Sequence, residues 1–258
     1  MNNSIIKNKT GSDKLRKAVR SLLFAAVWVA LWQLAAALFG NGVLLPTPLV
    51  VARTLVKLAR TAVFWRSAGF SLLRVTAGFF FGVAAGTCLA ALGGVCEPAE
   101  VFFRPVISLV RATPVASFIV LAVLWVKTDA MPVFISALMV LPVVSDAVSK
   151  SINACDPELT QMAKAFSLSR PRLIFRVLIP QILPDFLAAC TSGLGFAWKS
   201  AVAAEVLVMP RWALGTRLRN ARSLIETPEL FALTAVVIIF SVIIEKLLIF
   251  LLGRVNRR

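Results

Sequence analysis

Long apolar runs alternate with short polar segments along the chain, and the runs centre near residues 21–39, 70–94, 105–126, 131–148, 186–208 and 231–252. A bilayer core takes about 20 apolar residues per helix, so the pattern predicts six transmembrane helices. The runs show no barrel-type alternation, and backbone facing lipid must satisfy its own hydrogen bonds, so helices rather than strands carry the spans. The predicted class is an all-α integral membrane protein, with a basic segment over 1–20 ahead of one transmembrane domain over 21–258.

The polar interruptions are as informative as the runs. LLPTPLVV at 44–51 holds two prolines and predicts a turn, followed by a short surface helix carrying Arg53, Lys57 and Arg60. GGVCEPAEVFFRP at 93–105 predicts a second turn. The longest interruption, about 149–184, includes PELTQMAKAFSLSRPRLIFRVLIPQILP at 157–184, with Lys164, Arg170, Arg172 and Arg176 set between apolar runs. Asp156 is a helix cap, Pro157 suits a first turn, and Glu158 complements the positive end of the dipole. A helix to about Phe166, a break over Ser167–Pro171 and a second helix from Pro171, ended by Pro180 and Pro184, are expected. Ala163 and Ala165 leave room for a docking partner; a basic helix bound only to lipid is the alternative reading.

Composition adds direction. The chain is 59% hydrophobic, with a mean hydropathy of +0.86 and a formal net charge of +16. Such a charge could suggest nucleic acid, but its distribution follows the membrane. With the N-terminus inside, fifteen lysines and arginines fall on the inner face and nine on the outer face. Trp65, Trp125 and Trp212 then fall at the outer boundary, where interfacial indoles sit. The first run behind its basic flank could be a cleaved signal sequence, yet it is longer than a usual signal core, and its loss would place 157–184 outside, against the charge bias. Residues Asp13 to Arg20 are expected as a short helix on the membrane surface or as part of a disordered tail.

Chemistry is limited by what is missing. The sequence has no His and no Tyr, so imidazole is unavailable as base or metal ligand. Cys88, Cys96, Cys155 and Cys190 show no paired spacing, so neither a disulfide framework nor a zinc site is implied. There is no catalytic constellation and no Gly-rich phosphate loop ending in Lys-Ser/Thr. An enzyme is not expected, and no metal is called for.

Within the runs, Gly78, Gly82 and Gly86 recur every four residues on one helical face and allow close approach of another helix, of the same chain or of a second copy. RATP at 111–114 puts Arg111, Thr113 and Pro114 inside the third run, where Arg111 either lines a translocation path or ties down carbonyls freed by Pro114. Trp198, Lys199 and Glu205 sit in the fifth run, and Arg111 is the expected partner of Glu205. These six residues are the candidate path.

On these residues the chain resembles the inner-membrane permeases of bacterial ATP-binding-cassette importers. Their cytoplasmic loop reads Glu-Ala-Ala, three residues, Gly, nine residues, Ile, any residue, Leu, Pro. Here Gln161-Met162-Ala163 occupies the triplet, Ser167 stands in place of Gly, and Val177-Leu178-Ile179-Pro180 completes the spacing without a gap. LPTP at 45–48, SLLRVTAGFFFG at 71–82, RATPVASF at 111–118, DPELTQMAKAF at 156–166, AWKSAVAAEVL at 197–207, GTRLRNAR at 215–222 and ELFAL at 229–233 look like segments of the sulfonate, taurine, nitrate and thiamine-precursor branch, in order.

The resemblance implies a six-helix permease of the type I importer fold in the inner membrane, and the charge bias places both termini in the cytoplasm. It implies a second permease copy, of the same or a related chain, and a binding protein that delivers a small solute from outside. A cytoplasmic ATPase dimer would hold ATP and Mg, none being bound by this chain, and would grip a coupling helix through Glu158, Gln161, Met162, Ala163, Lys164, Phe166, Ser167 and Pro180. The competing class is a stand-alone ion-coupled secondary transporter or channel. That reading needs intramembrane ionisable groups, for which Arg111, Lys199 and Glu205 are the candidates, with no Asp expected deep in a span.

Overall fold

The computed structural model describes residues 3–38, 44–166 and 168–255. It contains helices α1 (Asn3–Leu38), α2 (Pro48–Ala59), α3 (Ala62–Val95), α4 (Glu97–Ala112), α5 (Val115–Ala122), α6 (Met131–Asn153), α7 (Pro157–Ala165), α8 (Arg170–Leu173), α9 (Ile179–Val208), α10 (Leu214–Ser223) and α11 (Thr227–Val255). Among the described residues, five helices are long and apolar enough to cross a membrane, or six when the bent pair α4 and α5 counts as one broken span.

The chain divides into two compact units. The first comprises residues up to Arg60 with Ala221–Leu233, and the second Thr61–Asn220 with Thr234 onward. In the first, α1 runs unbroken from the basic segment into its apolar half, so the expected separate surface helix at Asp13–Arg20 is instead the continuation of a span. Nothing in the intervening residues breaks helical geometry, since no proline lies between them. Trp32 stacks on Phe231 at 6.0 Å. The surface helix expected after LPTP is α2, which starts where the Thr47 hydroxyl accepts the Val50 N–H and Pro48 takes the first turn.

The core of the second unit is α3 and α9 packed on α6. Gly78, Gly82 and Gly86 make the α3–α6 approach possible: a Cβ at Gly82 would stand 2.7 Å from Ala137 O and 2.7 Å from Val140 Cβ, and one at Gly78 would stand 2.5 Å from Val133 O. The glycine face is therefore filled by this chain's own α6. On the other side of α6, Ile119 and Ala122 of α5 bury against Met131, Ile135 and Ala204.

Two expectations about continuity change. The third run is no single helix: α4 ends at Ala112, Thr113 is extended (φ −85°, ψ 131°), and α5 leaves at a 105° bend. Proline disfavours α geometry in the residue before it, and Thr113 precedes Pro114. Conversely, Pro180 and Pro184 do not end the helix after the break, because Pro171–Val208 is one 38-residue helix. A π turn at Ile174–Leu178 shifts the hydrogen-bond ladder just before Pro180, which has no N–H to give.

Candidate functional site

A cavity of about 970 Å³ opens beside the α4–α5 break. Arg111, Thr113 and Pro114 line it from the break, Asp146 and Lys150 from α6, and Asp185 from α9. The break sets Arg111 in the last turn of α4 and Pro114 at the start of α5, both on the cavity wall. Thr113 closes the end of α4 by donating both its N–H (3.1 Å) and its hydroxyl (2.8 Å) to Leu109 O. Pro114 O opens α5 by accepting the Ser117 N–H at 3.0 Å.

Arg111 bonds Asp146 through its Nη1. The expected Arg111–Glu205 pair is thus replaced by Arg111–Asp146, and Asp146, inside the candidate span α6, is an acid that the sequence reading did not find. A signal was present: Asp146 and Lys150 stand four apart on a run otherwise free of acid. Asp185 is held from α6 by the Ser151 hydroxyl at 2.5 Å.

Glu205 has a different role. It is fully buried, accepts the Ser71 hydroxyl at 2.8 Å and the Gly215 N–H at 3.0 Å, and faces Arg74 Nη1 at 3.7 Å. Ser71 in turn accepts the Leu214 N–H at 2.9 Å. Together, Glu205 and Ser71 cap α10, whose own preceding residue, Ala213, cannot. Gly215 permits this approach, because a Cβ there would meet Glu205 Cβ at 2.4 Å. Arg74 binds Asp129 Oδ1 (3.1 Å) and the carbonyls of Arg211 (2.8 Å) and Trp212 (3.1 Å). It thereby pins a loop in which Met209 and Trp212 both adopt a φ of 53°. Sequence reasoning missed Arg74 because its partners are more than fifty residues away in the chain. Trp198 is also buried, its Nε1 donating to Val237 O at 3.1 Å. Lys199 is exposed, and none of Trp198, Lys199 and Glu205 lines the cavity.

At the far end of α6 lies α7. The Asp156 carboxylate accepts the Glu158 N–H at 2.8 Å, which caps the helix, and the Gln181 side-chain oxygen accepts the Asp156 N–H at 2.9 Å. Gln181 also donates to Val177 O at 3.0 Å, so the start of α7 is tied to the π-turn region ahead of α9. Leu159, Met162 and Phe166 are exposed, at 40%, 54% and 74%, as are Glu158 and Gln161. Ala163, in contrast, is 3% exposed and already packed within this chain; the room expected at Ala163 for a partner is therefore taken, while Ala165 is open. Pro180 lies in the first turn of α9. Ser167 and the side chain of Lys164 lie outside the described residues. Burial pushes the Cys155 thiol, beside this helix start, above its ordinary pKa.

Residues 78–258 match the model of the family described as the binding-protein-dependent transport system inner membrane component. The chain belongs to this family. It is a multi-pass permease of an ATP-binding-cassette transport system, and the family is not a catalytic one. Among similar proteins, SsuC of Bacillus subtilis (strain 168), named as an aliphatic sulfonates transport permease, is 26% identical over 91% of this chain and 87% of its own. TauC of Escherichia coli (strain K12), a taurine transport system permease, is 24% identical over 89% of this chain and 86% of its own. A solved structure of an amino acid ATP-binding-cassette transporter shares the fold, with a TM-score of 0.55 at 18% identity, covering 74% of this chain and 90% of that one. The stand-alone carrier is not favoured.

Proposed function

We propose that the permease imports a small sulfonate or a taurine-like zwitterion, driven by a cytoplasmic ATPase dimer that grips α7. The names of SsuC and TauC support the solute class. So does the cavity chemistry: Arg111 and Lys150 offer cations for a sulfonate, while Asp146 and Asp185 offer anions for an ammonium. The cavity exceeds the size of such a solute, so a binding protein sets most of the selectivity. ATP and Mg belong to the partner ATPase, in keeping with the missing phosphate loop in this sequence. The N- and C-termini face the cytoplasm, in keeping with the charge bias, and a second copy of this chain or a related permease completes the path.

The observation that carries this reading is the solvent-facing apolar stripe Leu159, Met162 and Phe166 on a helix whose base is tied to its neighbours. The spacing i, i+3, i+7 puts all three on one helical face. Closure of the ATPases would push this face, and the Gln181–Asp156 bond would pass the motion to α9. Asp185 on α9, bound by Ser151 of α6, would carry it to the cavity. Because Ala163 is buried, a charge there would disturb this chain itself, so Met162→Asp and Phe166→Asp are the cleaner probes. Each should leave membrane insertion intact and lower co-purification with the ATPase at least about fivefold, the loss of an interface anchor worth over about 1 kcal/mol. ATP-driven taurine uptake at the wild-type rate in both variants would refute the assignment of α7.

A further inference from the structure

Helix α2 carries charge that neither the packing of the chain nor the proposed function uses. Arg53, Lys57 and Arg60 recur at i, i+4 and i+7, so they share one face, and the buried Val51 and Leu58 lie on the opposite one. All three cations are exposed, and among the described residues none of them enters an ion pair. Balancing charge is not close along the chain either, since no Asp or Glu occurs between Asp13 and Glu97. With Ala52 and Val56 the three cations line a groove of about 390 Å³. Leu49 and Val56, also exposed, alternate with Arg53 and Arg60 along one row of the helix. Chain connectivity sets the depth of this face. Only Arg60 and Thr61 separate α2 from the candidate span α3, and the exposed Trp65 sits in the first turn of that span. Helix α2 therefore lies at the level of the lipid headgroups.

We infer that this face of α2 binds anionic phospholipid, with the headgroup phosphate held by Arg53, Lys57 and Arg60 and the upper acyl carbons laid on Leu49 and Val56. Arg53 and Arg60 offer planar forks that match phosphate oxygens, and Lys57 adds a point charge beside them. A face turned only to water gains nothing from the interleaved Leu49 and Val56, whereas at an interface each apolar side chain and each cation meets its own layer. An acidic protein docking from the water would match the cations alone, so lipid is the occupant that the mixed row favours. With the N-terminus inside, the leaflet is the outer one. The site requires only that the chain spans a bilayer and does not rest on the import of any solute.

Lipid can be read at the groove itself. The full chain, with its four native cysteines replaced and Ala52→Cys labelled with an environment-sensitive fluorophore, is reconstituted in phosphatidylcholine bilayers. Spin-labelled phosphatidylglycerol or spin-labelled phosphatidylcholine, each carrying the quencher high on its acyl chain, is added at the same low mole fraction. One cation beside anionic lipid is worth about 1 kcal/mol, or about fivefold in local lipid concentration. Phosphatidylglycerol should therefore quench about fivefold more strongly than phosphatidylcholine. Arg53→Gln with Lys57→Gln and Arg60→Gln should bring the two lipids level, whereas Arg53→Lys with Arg60→Lys should keep the preference. Lys127→Gln with Arg211→Gln, which neutralises exposed cations that the sequence also assigns to the outer face, should leave it unchanged. Equal quenching by both lipids with the α2 cations intact overturns the site. So does a preference that survives the triple substitution, or one that falls as far with the Lys127 and Arg211 pair. Should the two lipids quench alike while the triple substitution weakens binding of the solute-binding protein in phosphatidylcholine bilayers, the face docks an acidic protein and the lipid site is refuted.

Discussion

Replacing Glu205 tests whether this buried acid is a structural cap rather than a path residue. In Glu205→Ala the Gly215 N–H and the Ser71 hydroxyl lose their carboxyl acceptor, at 3.0 and 2.8 Å, and leaving a buried donor unsatisfied costs about 1–3 kcal/mol each. Breaking a buried ion pair costs about 3–5 kcal/mol when the surviving charge is stranded. Arg74 is not stranded, since it keeps Asp129 and two carbonyls. The expected loss is therefore near the lower end, about 4 kcal/mol for Glu205→Ala and about 2 for Glu205→Gln, whose amide oxygen still accepts one bond. At about 2–4 °C per kcal/mol for a chain of this size, the detergent-solubilised protein should lose monodispersity about 10 °C lower for Ala and about 5 °C lower for Gln. In a double-mutant cycle Glu205→Gln should couple to Arg74→Gln but add to Arg111→Gln within about 0.5 kcal/mol. A Glu205→Ala midpoint within about 2 °C of wild type, or coupling to Arg111 rather than Arg74, would refute the reasoning.

Gly82→Ala should destabilise by about 1–3 kcal/mol through overpacking against Ala137 O and Val140. Gly69→Ala in the same helix, with nothing within 4 Å of the added Cβ, should stabilise by about 0.5–1 kcal/mol; thermal shifts of equal sign would contradict the packing account. Because burial raises the Cys155 thiol, its thiolate fraction is small at neutral pH. Maleimide labelling of Cys155 should climb about tenfold per pH unit from pH 7 to 9 with no plateau, and a plateau below pH 8 would show the shift to have the opposite sign.

The helical class, the apolar runs, the capped start of α7 and the glycine face of α3 were all legible in the sequence. Each depends on residues within a few positions of one another: apolar run length, the Asp156-Pro157-Glu158 start, a four-residue repeat. Proline was legible only in part. Pro114 does break its helix, because it forces the preceding residue out of α geometry, but Pro180 does not, because the π turn at Ile174–Leu178 shifts the ladder just ahead of it, and Pro184 is carried inside α9. The tertiary structure alone decided which charges meet. Arg111 and Asp146 are 35 residues apart and Ser71 and Glu205 are 134 apart, so their pairing follows from which helices touch. That in turn is set by shape, as where the three glycines let α3 lie on α6 and where Gly215 lets Glu205 reach α10. A sequence lists the embedded charges; burial makes each one find a partner, and only the packed helices determine which partner is in reach.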